Sequence, residues 1–532
     1  MDDSVEVESD LVSAMLEPGL YAHGPASVEL RETHISWVFL AGDLAYKVKK
    51  PLVLPFLDYG TVERRREMCH EEVLLNRRLA PRIYLRVIGV ARDDERWRLT
   101  AEDDPAACEY AVEMRRVEER RSLAALAAAG TLLAEHVSAT AAVLAAFHAA
   151  APTAARERRR LAVLEATLDE NVVTLRDSGL GVIEPSRLDA AEHFTRAFLA
   201  ARRDELEARA EGGLVRDCHG DLRAEHVIVP EQGDVYIYDC IEFSPELRQI
   251  DVAADIAFLV MDLTRLGAEA LALLLIADYR RAGGDPGDDA LLFFFASYRA
   301  WVRAKVACIR AQELSDGDAE LERVRGEAGE LMRLGHRFAW RSRGPLVLVL
   351  CGVSGTGKTT VAQELAAVSG WEHLSSDVTR KRLSGLEPTE RGGAELYSRT
   401  RTIETYRELG TSAAARLERD RGVIVDATFH LLEERDAFRT GLGDWPGPLL
   451  FVECRAPEAL LLARIRERAL QSDRVSDADA DVLERQLAEF EPLDEVPRRW
   501  RADLQTEAQP ADLVADLEAI VDASLLPPAL HE

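Results

Sequence analysis

The stretch from 345 to 360, PLVLVLCGVSGTGKTT, constrains the fold of this chain more than any other. The apolar run at 346–350 has the length and composition of a strand buried on both faces of a parallel sheet. It leads into Gly352, Val353, Ser354, Gly355, Thr356, Gly357, Lys358 and Thr359, which satisfy G-x-x-x-x-G-K-S/T at every position. In that pattern the glycines let successive backbone N–H groups turn inward around phosphate oxygens at a helix N-terminus. Lys358 is then placed for the β- and γ-phosphates and the Thr359 hydroxyl for Mg²⁺, with Thr360 opening the helix that follows. A strand before the motif and a helical pattern over 360–367 set it apart from a chance glycine-rich turn. A three-layer α/β domain with a parallel sheet follows, with ATP and Mg²⁺ as its ligands.

The chain has 532 residues, too many for one ordinary core, so two or three domains are expected. Its net charge of −28 counts against nucleic acid as the main partner, because phosphate contacts need a basic track. That balance is compatible with cationic or neutral small substrates. No apolar run approaches the ~18 residues of a membrane span, and the first ten residues are acidic where a secretory leader is basic. Seven cysteines occur with no C-x-x-C pairing, which points to neither a zinc site nor a disulfide framework. A cytoplasmic protein with no membrane association is the expectation.

Lysine is scarce: of 66 basic residues, only Lys47, Lys49, Lys50, Lys305, Lys358 and Lys381 are not arginine. A coding bias that favours Arg wherever charge alone matters leaves lysine where a compact ammonium is needed. Three of the six fall in or just after one predicted hairpin strand. Apolar runs at 35–40 and 44–49 flank a Gly-Asp turn, a hairpin pattern. Before it, 11–16 and 26–30 read as helical. After it come a helical pattern over 61–79 carrying Glu71 and Glu72, then strands at 83–90, 96–100 and 109–115. A lysine-bearing strand, a glutamate-bearing helix and further strands are the layout of a kinase N-lobe, in which the lysine grips phosphate and the glutamate holds the lysine. A surface hairpin with solvated lysines is the plainer alternative at this point.

Alanine-rich helices run from 123 to about 210. Then comes Val215 to Val229, whose core is His219-Gly220-Asp221-Leu222 with His226 four residues on, and a strand at 235–240 that ends in Asp239 and Cys240. This segment resembles the aminoglycoside phosphotransferase-like family, relatives of the protein kinases, whose loop reads H-G-D-x-x-x-x-N before a strand-terminal Asp. The resemblance spans about residues 30–310. It implies that Asp221 is the catalytic base taking the acceptor hydroxyl proton and that Asp239 holds Mg²⁺. The family's Asn falls on His226, which takes its place as metal ligand with a softer donor atom. It further implies Lys47 as the phosphate lysine with Glu72 as its partner, Lys49 and Glu71 being the rivals. Glu113 would lie on the strand beside the adenine. Asp251 and Asp255 match a second acidic segment that braces the loop.

After the phosphate loop, 373–382 reads as a strand end, Ser375-Ser376-Asp377, then Arg380 on a helix. The strand 422–426 ends in Asp426, another runs over 449–454, and Arg464 and Arg468 share a helix face at i,i+4. Residues 345 to about 520 thus resemble small-molecule P-loop kinases of the gluconate kinase, polynucleotide 5′-kinase and zeta-toxin type. The resemblance makes Asp377 the acceptor-binding residue or base and Arg380 a substrate contact. Asp426 becomes a neighbour of Mg²⁺, and Arg464 with Arg468 part of a lid. The bland alternatives are a helix-capping Asp377 and a solvated arginine helix.

Together these readings give a two-lobed α+β kinase-like domain over 1–340, with its N-lobe at about 30–120 and C-lobe at about 121–340. A basic, Gly/Pro-bearing boundary at 341–345 precedes the P-loop domain over 345–532. The arrangement resembles bacterial fusions of the two families. The expected function is ATP-dependent transfer of phosphoryl groups to hydroxyls of sugars, amino sugars or similar compounds. Two alternatives stay open: a regulatory ATP-binding protein with a silent N-terminal domain, and a zeta-toxin-like or 5′-end kinase activity in the C-terminal domain.

Overall fold

The computed structural model describes residues 10–54, 57–93, 96–157, 159, 161–179, 181–315, 317–390, 393–469 and 479–526. The chain gathers into two compact units, one of residues 1–163 and 206–287, the other of residues 164–205 and 288–532.

In the first unit β1 (Val28–Glu32), β2 (Ser36–Ala41), β3 (Leu44–Lys49), β4 (Tyr84–Asp93), β5 (Arg96–Thr100) and β6 (Ala107–Arg115) make one antiparallel sheet, in the order β1-β2-β3-β6-β4-β5. The predicted hairpin is β2–β3, closing at Ala41↔Leu44. One sheet face buries Trp37, Phe39, Tyr46, Val48, Ile88 and Val90. The other buries Leu40, Ala45, Val87 and Val112 against Cys69 and Val73 of α1 (Val62–Asn76). Thr61 caps α1, its side chain accepting from the Arg64 amide at 3.2 Å. Residues 26–30, expected as helix, instead lead into β1. Pairing with β2 over five residues, with Val28 and Leu30 packed on the core, outweighs helix propensity there.

The rest of this unit is helical with short ribbons. The chain runs through α2 (Ala134–Ala150), leaves for nearly all of α3 (Leu161–Ser178) and α4 (Pro185–Ala201), and then returns. Two small antiparallel pairs follow. They join β7 (Val215–Asp217) to β10 (Gln249–Asp251) and β8 (Val227–Ile228) to β9 (Tyr236–Ile237). Beneath them lie α5 (Val252–Arg265), buried over nearly its whole length, and α6 (Glu269–Arg281). An antiparallel sheet with one packed helix, followed by a helical lobe carrying ribbon loops, is the protein-kinase-like fold.

The second unit holds α3, α4, α7 (Asp289–Glu313) and α8 (Ala319–Arg343) together with everything after them. Its sheet is parallel throughout. Here β11 (Leu346–Cys351), β12 (Glu372–Ser375), β13 (Gly422–Asp426), β14 (Leu449–Arg455) and β15 (Arg501–Gln505) stand in the order β12-β13-β11-β14-β15. Central β11 and β13 are buried at every residue, as continuous apolar runs require of strands covered on both faces. One face packs on α9 (Lys358–Ser369), α15 (Pro510–Leu525) and Trp340 of α8. The other packs on α11 (Arg399–Asp420) and α12 (Leu432–Leu442). The loop-flanking helices α10 (Ser376–Leu383), α13 (Glu458–Ala469) and α14 (Ala480–Glu489) complete it.

Compactness does not follow the sequence boundary expected at 341–345. Arg343 forks onto Asp522 at 2.7 and 2.8 Å with both side chains buried, and the Trp340 indole donates to Glu518 at 2.9 Å. Phe194 of α4 lies 4.4 Å under the same Arg343 guanidinium. Those contacts tie α4 and α8 to α15 of the P-loop unit. Among the described residues, no helix is long and apolar enough to cross a membrane.

Candidate functional site

The phosphate loop leaves β11 at Gly352, whose φ of 126° belongs to glycine. A Cβ there would stand 2.5 Å from the Cys454 carbonyl oxygen. Lys358, the first residue of α9, is buried, and its Nζ donates back to the Val353 carbonyl at 2.9 Å. The parallel register Leu350↔Asp426 sets the end of β13 beside the start of α9. There the Thr359 hydroxyl donates to Asp426 at 2.5 Å. Nε2 of His373, on β12, lies 3.4 Å from the same carboxylate oxygen. Burial works to raise the Asp426 carboxyl, but the His373 ring beside it, the Lys358 charge and the Thr359 bond hold it below the usual range. A hydroxyl and an ionised carboxylate at contact distance are hard oxygen donors, and they fit Mg²⁺. Ser354, Gly355, Thr356 and Gly357 make the loop between, with the Thr356 hydroxyl bonded to the Val353 carbonyl at 2.9 Å. Thr360 is exposed on the first turn of α9.

Beside the loop, β12 turns into α10. Ser375 is the N-cap of α10 and makes no side-chain cap bond, while Asp377 sits in the first turn. Capping therefore does not occupy the Asp377 carboxylate. It meets Arg380 Nη1 at 3.3 Å. The Arg380 guanidinium lies 4.9 Å over the Tyr397 ring, and its buried Nε has no hydrogen-bond partner. Lys381 is turned away to the Pro388 carbonyl at 2.9 Å.

Arg464, expected as part of a lid, braces the loop from behind. Its Nη2 donates to the Thr506 carbonyl at 2.6 Å and its Nη1 to the Gly355 carbonyl at 3.4 Å. The Arg468 side chain lies outside the described residues. Over the loop, α14 packs Leu483 against Val353, and the Gln486 side-chain oxygen accepts from the Ser354 amide at 2.8 Å.

In the first unit, Lys47 and Lys49 lie two apart on β3 and so share one strand face. Glu72 of α1 meets both, Lys47 at 2.9 Å and Lys49 at 2.7 Å. Lys47 also meets Asp239 at 2.7 Å, whereas Lys49 meets Glu242 and Tyr59. Burial opposes the charge on each lysine, but Asp239 and Glu72 for Lys47, and Glu242 and Glu72 for Lys49, hold both well above the ordinary range. Glu71 points elsewhere, to Arg248 at 3.2 Å. Glu113 pairs across the sheet with Tyr46, and its carboxylate is taken up by Arg86 at 2.6 Å.

The segment around His219, Gly220 and Asp221 is held by buried bonds. Asp255 accepts from the His219 amide at 3.1 Å and the Gly220 amide at 2.9 Å, and meets His148 Nε2 at 3.0 Å. Burial would raise Asp255, but the His148 bond leads the opposing contacts that bring it to about 2. Gly220 has φ 86°, and a Cβ would stand 2.9 Å from the Leu247 carbonyl. Asp251 instead caps α5 and pairs with Arg209. Asp221 is gripped by Arg223, Nε at 2.9 and 3.0 Å and Nη2 at 2.8 Å. Burial raises the Asp221 carboxyl; Arg223 and then His226 outweigh it, so it sits below the usual range. Asp239 has φ 65°, a left-handed conformation that costs a non-glycine residue about 1–3 kcal/mol. Its carboxyl is pulled down against burial, mainly by Lys47.

The structure therefore brings Lys47, Glu72, Asp221, His226 and Asp239 into one cluster. It brings Lys358, Thr359 and Asp426 into another, with Asp377 and Arg380 on the helix next to it. Sequence reasoning passed over Glu242, Arg223, His373 and Gln486. Glu242 stands three residues after Asp239 in an apolar surrounding, a signal that was available, whereas Gln486 had none.

Residues 347–493 match the family described as AAA domain. An uncharacterized protein of Mycobacterium tuberculosis strain H37Rv is 32% identical over 468 residues, covering 86% of this chain and 88% of its own length. A counterpart from Mycobacterium bovis matches to the same extent. Among solved structures, a sugar kinase from Janibacter sp. HTCC2649 is 23% identical, with a TM-score of 0.26, over 35% of this chain and 96% of its own. A choline/ethanolamine kinase family protein from Mesorhizobium loti is 14% identical, with a TM-score of 0.39, over 63% of this chain and 99% of its own.

Proposed function

We propose one function for the whole length of this chain, which belongs to the family of those two mycobacterial proteins and itself carries a kinase-like region before a P-loop domain. It is an ATP-dependent phosphotransferase with two kinase modules, each moving the γ-phosphoryl group to a hydroxyl of a small molecule. The observation that carries this reading is the meeting of Lys358, Thr359 and Asp426 at the phosphate loop, with Asp377 and Arg380 on the next helix. Thr359 and Asp426 would hold Mg²⁺, which supplies positive charge to the phosphate oxygens.

In the transfer the acceptor oxygen forms a bond to the γ-phosphorus. The bond from that phosphorus to the β–γ bridging oxygen breaks, and its electron pair leaves on ADP. The acceptor proton passes to Asp377 in the C-terminal module and to Asp221 in the N-terminal one. Arg380, with a buried Nε unpaired, favours a neutral or anionic acceptor such as a sugar or sugar acid in the C-terminal module.

A screen of sugars, sugar acids, amino sugars and nucleosides for ATP consumption tests the proposal. It is run on the full chain, on Lys358→Ala and on Asp221→Asn. Acceptor-dependent ADP release lost in one variant and kept in the other assigns each module. No acceptor-dependent release anywhere in the screen sinks it. The Arg223–Asp221 ion pair favours a second reading, an N-terminal module that binds nucleotide without turnover. Asp221→Asn leaving every activity of the full chain unchanged selects that reading.

A further inference from the structure

The N-terminal site does not fit the metal set that its likeness to the phosphotransferases implies. His226 stands where that family has Asn, and both of its ring nitrogens are occupied. Nδ1 lies 2.9 Å from the Asp221 carbonyl oxygen and Nε2 lies 3.1 Å from Arg223 Nη2. A guanidinium only donates, so Nε2 accepts and Nδ1 carries the hydrogen given to the carbonyl. No lone pair of the ring is left for a divalent ion. Asp239 Oδ2 is 3.7 Å from the same Nε2, and the Arg223 charge is among those that pull the Asp239 carboxyl down. A fixed cation thus stands among Asp221, His226 and Asp239, where the family's arrangement calls for an ion between base and strand-terminal acid.

We infer that Arg223 replaces a second divalent cation. The N-terminal module takes one divalent ion, on Asp239, and the guanidinium supplies the other positive charge. This rests on reading the region as a kinase. Arg suits the place because its planar fork matches two oxygens at once, whether of a carboxylate or of a phosphoryl group. In the resting protein the fork is spent on both oxygens of Asp221. With nucleotide and acceptor bound, the guanidinium moves to the γ-phosphoryl oxygens and frees Asp221 to take the acceptor proton. The acceptor oxygen–phosphorus bond forms, the bond to the bridging oxygen breaks, and ADP carries away the pair.

The test uses the full chain with Lys358→Ala and Thr359→Ala, which disable the P-loop site. Manganese bound in the presence of β,γ-imido-ATP is counted by electron paramagnetic resonance, and ATP and ADP affinities are measured by calorimetry. One Mn²⁺ per chain is expected. Adding Arg223→Ala should weaken ATP about tenfold or more, the worth of a lost charge-assisted bond, with ADP within about twofold. It should also let a second Mn²⁺ reach His226. Arg223→Lys, which keeps the charge and the fold without the fork, should keep one Mn²⁺ and lose part of the ATP preference. Two Mn²⁺ with Arg223 present, or equal changes in ATP and ADP affinity in both Arg223 variants, overturns the inference alone. A disabled chain that binds no nucleotide overturns the N-terminal kinase reading and this inference with it.

Discussion

Lys49 and Glu72 meet at 2.7 Å with both side chains fully buried. The same glutamate meets Lys47, so one carboxylate locks two ammonium groups from a single strand face. Only Lys47 continues to Asp239; Lys49 is closed in by Glu242 and Tyr59. Under the proposed function the two lysines divide their duties: Lys47 would face the nucleotide, and Lys49 holds α1 against the sheet.

Lys49→Met should destabilise the first unit by about 3–5 kcal/mol, because buried Glu242 loses its cation, keeping only the Tyr59 hydroxyl, and Glu72 loses one of its two lysines. Lys47→Met should lower nucleotide affinity with a smaller loss of stability. Urea melts and nucleotide titrations of both variants check this. Equal stability losses would mean the division of duties is wrong.

Lys358→Ala should abolish transfer by the P-loop module and cost about 1 kcal/mol of stability, since its ammonium is buried and bonded to Val353. Single-turnover phosphoryl transfer and a thermal melt of the full chain read both quantities. Transfer within tenfold of the unmodified protein would remove Lys358 from the chemistry.

Asp377→Asn should reduce acceptor turnover about 10²–10⁴-fold at unchanged melting temperature, because Ser375 and not Asp377 occupies the N-cap. Arg380→Ala should instead raise the KM of an anionic acceptor more than that of a neutral one. Steady-state kinetics on a matched pair of acceptors, one bearing a carboxylate, decide it. A fully active Asp377→Asn protein would leave the acid with no role in transfer.

Stability should fall as pH drops from about 6.5 toward 5. Burial, the leading cause, holds His219 at about 4 and His336 at about 3, both below the ordinary value of 6.5. Each stays neutral when folded while the unfolded chain takes up a proton below pH 6.5, so the unfolded state gains. By pH 5 each group has removed about 2 kcal/mol, His219 from the first unit and His336 from the second. Urea midpoints at pH 7.5 and 5.0 measure the slope. Midpoints that do not move would show these rings protonate in the fold.

A chain beginning at 345 should be less stable than the whole second unit, since it loses the Arg343–Asp522 fork and the Trp340–Glu518 bond that fasten α8 to α15. Loss of Trp340 also strips an aromatic ring from the core. Circular dichroism melts of that fragment and of the full chain check it, and equal stability would show that α8 does not support this unit.

The sheets of both units and the phosphate loop were legible because each is written locally. The phosphate loop is a contiguous motif, the apolar runs at 346–350 and 422–426 carry their burial in their composition, and the hairpin lysines stand out in an arginine-rich chain. The Lys47–Glu72 pairing was legible only through resemblance, and the structure adds Lys49 as a second partner of the same acid. Other features depend on what folds against what. Residues 28–32 become a strand because β2 offers an edge. Arg464 turns to carbonyls because Thr506 lies behind the loop. The Arg223 fork on Asp221 needs a tight loop that no periodicity encodes. The sharing of α3, α4, α7 and α8 with the P-loop unit is likewise invisible in a chain read from end to end.

That sharing sets a timetable for synthesis. The first unit has its last residues once position 287 has emerged, but residues 164–205 belong to a partner that is not finished until much later. At roughly 5–20 residues per second the ribosome leaves these helices without their packing surface for roughly ten seconds or more. During that interval Phe194 and Phe198, fully enclosed in the finished protein, are open to water and to anything that binds apolar surface. Until the second unit is finished, α4 presents an apolar face that exposes the nascent chain to aggregation.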